Sequence, residues 1–351
     1  MGGVGVSTIA DNCWFVGFRH IGNWKCLLSA YALFTRLSRP SSRPPARVAR
    51  RLAVLAQLGS TPSTSCVSRH RCRSDHRRRQ QPAVVALIVP YRAQEEQDRR
   101  AQLDAFVAHQ AAFLSQTDVV RFLLVVVEQS DDRRAFNRGQ LLNLGFQEAQ
   151  RCSISAGLHL AAVIFHDVDL LPSDGLLRYY CTPPSAGQPV HISSPSTWSK
   201  YDLAGYEEIF FGGVTALHPA DFVAANGYPN DFWGWGAEDD QLRLRVGASG
   251  GLQRGVVRPP PGAGSYRDLD PVAMLSLLRS RESALAHAHR FNPRMFDQRR
   301  RPEKCLDEEW RGANGLRGLR AEVLSRTEQP LACRASAYRP VKWLHVTARL
   351  A

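Results

Sequence analysis

Ala161-Ala162-Val163-Ile164-Phe165-His166-Asp167-Val168-Asp169 is an apolar run that delivers two carboxylates two positions apart. A short, continuous apolar run fits a strand buried on both faces, as in parallel sheets. In an extended segment, residues i and i+2 point to one side, so Asp167 and Asp169 share a face. Two oxygen ligands on one face suit a hard cation such as Mn²⁺ or Mg²⁺, and the cation can hold a diphosphate. A lone D-x-D arises often by chance. At the end of a buried strand in an α/β pattern it becomes a site.

The pattern extends in both directions. Upstream, Ala83 to Pro90 is a second buried run with Tyr91-Arg92 at its carboxyl end. Residues 94–116 carry helical spacing, with Leu103, Phe106, Val107 and Phe113 on one side. Arg121 to Val127 reads as another buried strand. A helix follows from about Asn137 to Gln150, packed through Leu141, Leu142, Leu144, Gly145 and Phe146. Strand–helix–strand–helix–strand predicts a nucleotide-binding α/β sheet with ligands at the carboxyl ends of the strands. Phe136-Asn137-Arg138 opens the second helix, where anions bind well. Downstream, His191-Ile192-Ser193 starts a strand, Phe210 to Leu217 reads as a further buried strand, and Asp221 to Asn226 fits a short helix ending at Gly227.

The stretch Phe232-Trp233-Gly234-Trp235-Gly236-Ala237-Glu238-Asp239-Asp240 sets two indoles and two glycines before three carboxylates. Adjacent acids repel and resist burial. A helix N-terminus accounts for some of them through the dipole. It leaves the Trp-Gly-Trp-Gly run unexplained. Indoles stack on sugar rings, and glycine admits close backbone approach. The two acidic elements together point to a metal-assisted sugar-nucleotide site. His166 reads as a hydrogen-bonded structural histidine, and His287 and His289 receive no role.

The chain has 351 residues, 44% hydrophobic, with a formal net charge of +13. Residues 1–80 hold 14 of the basic residues and only Asp11 and Asp75, so nearly all the excess lies there. Residues 1–81, rich in Arg, Ser and Pro, read as a disordered arm or stem, with a short basic helix over 46–58. Residues 82–351 form the folded domain. This partition removes the case for a nucleic-acid partner of the folded part. Eight cysteines include no C-x-x-C pair, which argues against a zinc ribbon or thioredoxin-type motif. Disulfides in an oxidising lumen and free buried thiols both remain open. The best apolar run, Leu27 to Phe34, is short against the roughly 20 residues a span needs.

The motifs together resemble the β-1,4-galactosyltransferase family, glycosyltransferase family 7. The elements are Val89-Pro90-Tyr91-Arg92, residues 136–146, residues 166–172, Phe211-Gly212-Gly213-Val214, and Asn226-Gly227-Tyr228-Pro229-Asn230 running into residues 233–240. A weaker match begins at Asn314-Gly315-Leu316. The resemblance implies an α/β GT-A glycosyltransferase fold, a Rossmann-like mixed sheet flanked by helices. It implies inverting, metal-dependent transfer of galactose from UDP-galactose, with Mn²⁺ as cofactor and Mg²⁺ as an alternative. By position it makes Asp169 a metal ligand, with Asp268 where the family has a histidine. Pro90, Tyr91, Arg92, Phe136, Arg138, Asp167, Val168, Phe210 and Trp235 fall at donor positions. Gly236, Glu238, Asp239 and Asp240 fall at acceptor positions, Asp239 as general base and Glu238 as its catalytic neighbour. Phe210 leans toward a galactose donor.

The acceptor it implies is a glycan, glycoprotein or proteoglycan, with the xylosylprotein branch favoured over terminal N-acetylglucosamine. Location by resemblance is the Golgi lumen, as a type II membrane protein, although no anchor is evident in this sequence. Gln94 replaces a second basic residue of the family, and residues 271–310 match it poorly. A catalytically inactive relative that binds sugar or UDP is the rival expectation.

Overall fold

The structure is a computed structural model that describes residues 82–94, 98–117, 120–199, 210–270, 277, 280–292, 307–330 and 342–351. The basic arm, its expected helix over 46–58 and the Leu27–Phe34 run lie outside the described residues.

The expected parallel core is present. Strands β1 (Ala83–Tyr91), β2 (Arg121–Gln129) and β3 (His159–His166) run parallel, with β1 between the other two. Helices α1 (Arg99–Leu114) and α2 (Arg138–Ser155) make the crossovers. The strands are apolar on both faces because both faces are covered. Val85, Leu87, Val89, Leu124 and Val126 join one core. Val84, Ala86, Ile88, Leu123, Val125 and Val127 join the other. Each fully buried Val, Leu or Ile side chain stabilises the fold by roughly 1.5–3 kcal/mol. On the second face α2 lies close to the sheet at Gly145, where a Cβ would meet Ile88 Cγ2 at 2.3 Å.

The remaining elements are β4 (Leu170–Pro172), α3 (Leu177–Cys181), β5 (Val190–His191), β6 (Val214–Leu217), α4 (Pro219–Ala224), α5 (Glu238–Ala248), β7 (Tyr266–Asp268), α6 (Arg281–Ala286), α7 (Glu308–Ala313), β8 (Ala321–Pro330) and β9 (Lys342–Leu350). The main sheet runs β5-β6-β3-β1-β2-β9-β8, and β4 pairs with β7 in a second, two-stranded sheet. Strands β6 and β8 are antiparallel to their neighbours β3 and β9, so the main sheet is mixed.

Several expectations shift. The strand expected over 210–217 begins only at Val214, because Gly213 adopts a left-handed φ of 74°. The short helix before Gly227 starts at Pro219, capped by His218. α2 continues five residues past Gln150, to Ser155. Cys152 and Cys181 are thiols outside any disulfide; the other six cysteines lie outside the described residues. Among the described residues no helix is long and apolar enough to cross a membrane.

Candidate active site

The site gathers at the carboxyl ends of β1 and β3. Asn137 caps α2 by accepting from the Gln140 backbone N–H at 2.9 Å. Its own N–H donates to Gln129 Oε1 at the end of β2. That capped helix start fixes Arg138. Arg138 donates to Asp167 Oδ1 through Nε at 2.8 Å and Nη2 at 2.7 Å. Its Nη1 lies 3.5 Å from Glu238 Oε1. One guanidinium therefore joins a strand end to the first turn of α5, and it sits 5.8 Å from the Tyr228 ring centroid.

The electrostatics at this end follow from burial around Arg138. Burial pushes the Glu238 carboxyl up, the Asp239 charge pushes it further, and Arg138 pulls it back. Burial also raises Asp167, against the pull of Arg138. For Arg138 burial works to lower the pKa, but Asp167 and its neighbours carry it well above the ordinary value. Such displaced values cluster at functional sites.

Backbone conformation aims the three acids. Gly234, Gly236 and Ala237 all have positive φ, at 93°, 117° and 75°. This kinked run ends where α5 begins, so Glu238, Asp239 and Asp240 occupy its first turn. The helix dipole favours acids there. Asp239 rests on the Phe211-Gly212-Gly213 segment: a Cβ on Gly212 would meet Asp239 Oδ2 at 2.0 Å. Glu238 and Asp240 are buried while Asp239 is partly open.

Trp235 is held by residues that the sequence reading left as an unmatched region. Its N–H donates to Arg290 O at 2.7 Å, and its carbonyl accepts from Asn292 N–H at 3.0 Å. Its ring meets Phe291 edge to face at 5.8 Å. Asn292 Nδ2 donates to Gly236 O. Gly234 N–H donates to Phe136 O, tying the same loop to the start of α2. Asn230 accepts at its backbone oxygen from both Asn137 and Gln140.

At the end of β1, Pro90 and Tyr91 are buried. Arg92 donates to Arg134 O at 2.6 Å and lies over the Phe136 ring. It thus holds the loop before α2. Val168 is packed into the core. Phe210 is buried against His191 and Trp198. His166 is fully buried, hydrogen-bonded to Asp167 O and the Tyr180 hydroxyl, and burial lowers its pKa to about 4. That is the structural histidine expected.

The second sheet brings three further acids together. β4 pairs with β7 so that Leu170 lies opposite Asp268, and Leu269 N–H donates to Asp169 O at 2.7 Å. Asp268 Oδ2 accepts from Trp198 Nε1 at 3.0 Å, and its Oδ1 accepts from Asp270 N–H. Asp270, which the sequence reading did not single out, shares a guanidinium with Asp169. Arg99 Nη1 is 3.2 Å from Asp169 Oδ2, and Nη2 is 3.4 Å from Asp270 Oδ2. Among the described residues no three metal-ligating side chains converge in a ready-made cage. The alternating Asp-Leu-Asp at 268–270 was the available signal for Asp270.

Fold and site define an α/β protein of the GT-A glycosyltransferase type, with its acids at the carboxyl edge of the sheet. Two family models match the chain: the N-terminal region of glycosyl transferase group 7 over residues 45–182, and the N-terminal domain of galactosyltransferase over residues 191–270. The chain belongs to glycosyltransferase family 7, the β-1,4-galactosyltransferases.

It is 32% identical over 247 residues to β-1,4-galactosyltransferase 3 of Bos taurus, covering 70% of this chain and 53% of that protein. It is 37% identical over 185 residues to human β-1,4-galactosyltransferase 4, covering 52% and 47%. The chain thus spans about half the length of the curated relatives it matches. Among solved structures, the catalytic domain of Drosophila β-1,4-galactosyltransferase 7 with xylobiose has a TM-score of 0.52 and 28% identity, covering 77% of this chain and 94% of that one. A mutant of that enzyme with manganese, UDP-Gal and xylobiose has a TM-score of 0.53 and 27% identity.

Proposed function

We propose that this protein transfers galactose from UDP-galactose to a sugar hydroxyl with inversion, forming a β-1,4 linkage, and that xylose is favoured over N-acetylglucosamine as acceptor. The observation that carries the reading is Asp239: a partly open carboxylate on the first turn of α5, seated on Gly212 and next to the Arg138-held pair Asp167 and Glu238. Inversion needs one base on the attacking side. In this reading Asp239 takes the proton of the acceptor hydroxyl. Glu238 and Asp240 orient the sugars, and Arg138 fixes Asp167 against the donor. Trp235 and Gly236 cover the sugars on a loop pinned by residues 290–292. A closing cover of this kind limits donor hydrolysis by water.

Asp169 and Asp270 converge on one cationic group, so their oxygen donors fit a hard divalent cation. In this reading Asp169 and Asp268, the two metal positions of the sequence, are joined by Asp270 in holding Mn²⁺, or Mg²⁺; Asp268 also accepts from Trp198. When bound, the ion supplies charge neutralisation for the leaving diphosphate. The buried aromatic Phe210 supports galactose as the donor sugar. The xylobiose complex of the Drosophila enzyme supports the xylose preference. By family resemblance we also place the protein on the lumenal side of the Golgi; a tagged full-length chain that stays out of the Golgi would refute that placement.

The test is UDP release by the full chain with UDP-galactose and Mn²⁺, given a xyloside, an N-acetylglucosaminide or no acceptor. Release that requires the xyloside and disappears in Asp239→Asn is the expected result. UDP binding without release, with any acceptor, would sink the transferase reading in favour of an inactive binding relative.

A further inference from the structure

Among the described residues, Arg138 and Arg99 both meet the acidic site, and they hold it differently. Arg138 grips Asp167 at 2.7–2.8 Å, the range of strong charge-assisted bonds. Arg99 stands off at 3.2 Å from Asp169 and 3.4 Å from Asp270. It is the first residue of α1. Its Nη1 also lies 2.6 Å from Gln102 Oε1, and Gln102 in turn donates to Leu269 O. The guanidinium is thus steered into place from its own helix, and its side chain is only 18% exposed. The carboxylates it spans are anchored through the backbone by the β4–β7 pairing and the Leu269–Asp169 bond. Asp268, Asp270 and Asp169 would otherwise place three acids in one partly buried corner. A positive charge there is favoured, because buried carboxylates cost less when a cation faces them.

We propose that Arg99 is a built-in counter-cation of the donor site: it holds the Asp169–Asp270 pair in the free protein, and a divalent cation binds those carboxylates only by displacing it. This rests on the reading of Asp169 as part of the metal and donor site. The arrangement offsets part of the corner's negative charge before donor arrives. It also sets metal affinity through a residue that is not itself a ligand, since a cation cannot coordinate metal. The long contacts and the 16% exposure of Asp169 make the exchange accessible from solvent. Displacement needs no backbone movement, because a long arginine side chain can swing from a fixed helix start.

The experiment is Mn²⁺ binding by the full-length chain, followed by electron paramagnetic resonance of the free ion without donor or acceptor. Wild type is compared with Arg99→Gln, Arg99→Lys and Asp169→Asn, with melting temperatures recorded for each. Arg99→Gln is expected to bind Mn²⁺ about tenfold more tightly, the scale of one partly buried ion pair removed from competition. Arg99→Lys keeps the charge but cannot span both carboxylates, so a smaller gain is expected. It carries the test alone if the glutamine variant does not fold. Equal or weaker binding by the Arg99 variants, with Asp169→Asn still abolishing it, would overturn the inference and leave the proposed function standing. Failure of every variant to bind Mn²⁺, even with UDP present, would overturn the metal site itself and the inference with it.

Discussion

Gly212→Ala isolates the position of one carboxylate. Gly212 does not adopt the left-handed backbone that would strain alanine, so the substitution meets space rather than torsion. The new Cβ would lie 2.0 Å from Asp239 Oδ2 and 3.0 Å from Phe210 Cε2. A carbon–oxygen contact needs roughly 3.2 Å, so the carboxylate must retreat by about 1 Å. Because Asp239 is partly open, its side chain can rotate away at little cost in stability. Alanine also restricts the unfolded chain, a gain of about 0.4–1 kcal/mol that offsets part of the collision. Melting should therefore move by no more than about 3 °C.

Catalysis is far less forgiving. A misplacement of about 1 Å typically costs on the order of 100-fold in rate, which corresponds to about 2.7 kcal/mol of barrier. The assay is initial UDP release with saturating donor and acceptor, beside thermal unfolding by circular dichroism and UDP binding by calorimetry. Slow transfer with near-normal melting and UDP binding is expected. A variant that transfers at the wild-type rate would refute the placement of the base on Gly212.

Three further outcomes follow from the same geometry. Arg138→Gln should destabilise the fold by about 3–5 kcal/mol, because it strands Asp167 and Glu238 without their shared cation; a loss under about 1 kcal/mol in urea titration would contradict that pairing. The raised Glu238 carboxyl makes the folded form hold its proton more tightly than the unfolded chain. Stability without ligand should therefore fall as pH rises from the ordinary glutamate range near 4.5, and Glu238→Gln should flatten that slope; identical pH profiles would count against it. His166 is held neutral by burial, with a pKa lowered to about 4. Its contribution is complete above the ordinary histidine value of about 6.5 and is lost as pH falls toward 4, worth about 3 kcal/mol. Its imidazole resonance in the folded protein should titrate near 4, and titration near 6.5 would disprove the burial argument.

How much could be read from the chain differs by element. The strands at 83–91, 121–129 and 159–166 announced themselves as continuous apolar runs, since both faces of a covered parallel strand must be apolar. The pairing of β9 with β2, and the whole of β8, had no such signal. β8 is an edge strand whose described side chains are mostly exposed, so it lacks the apolar run that marks a buried strand. The early end of the 210–217 strand turned on a left-handed φ at Gly213, which the residue type permits but does not require.

The sequence by itself determined the chemistry on offer: a D-x-D at a strand end, an Asn-Arg at a helix start, three acids behind a Trp-Gly-Trp-Gly run. Those patterns are local, and their meaning follows from the period of a strand or the polarity of a helix. Only the tertiary structure decided who serves whom. Arg138 meets Asp167 across 29 residues and Glu238 across 100, while Arg99 reaches Asp169 across 70 and Asp270 across 171. No local pattern encodes such pairings. They arise because packing one sheet between helices brings the ends of distant strands to one edge, where a few buried carboxylates must share the few cations within reach.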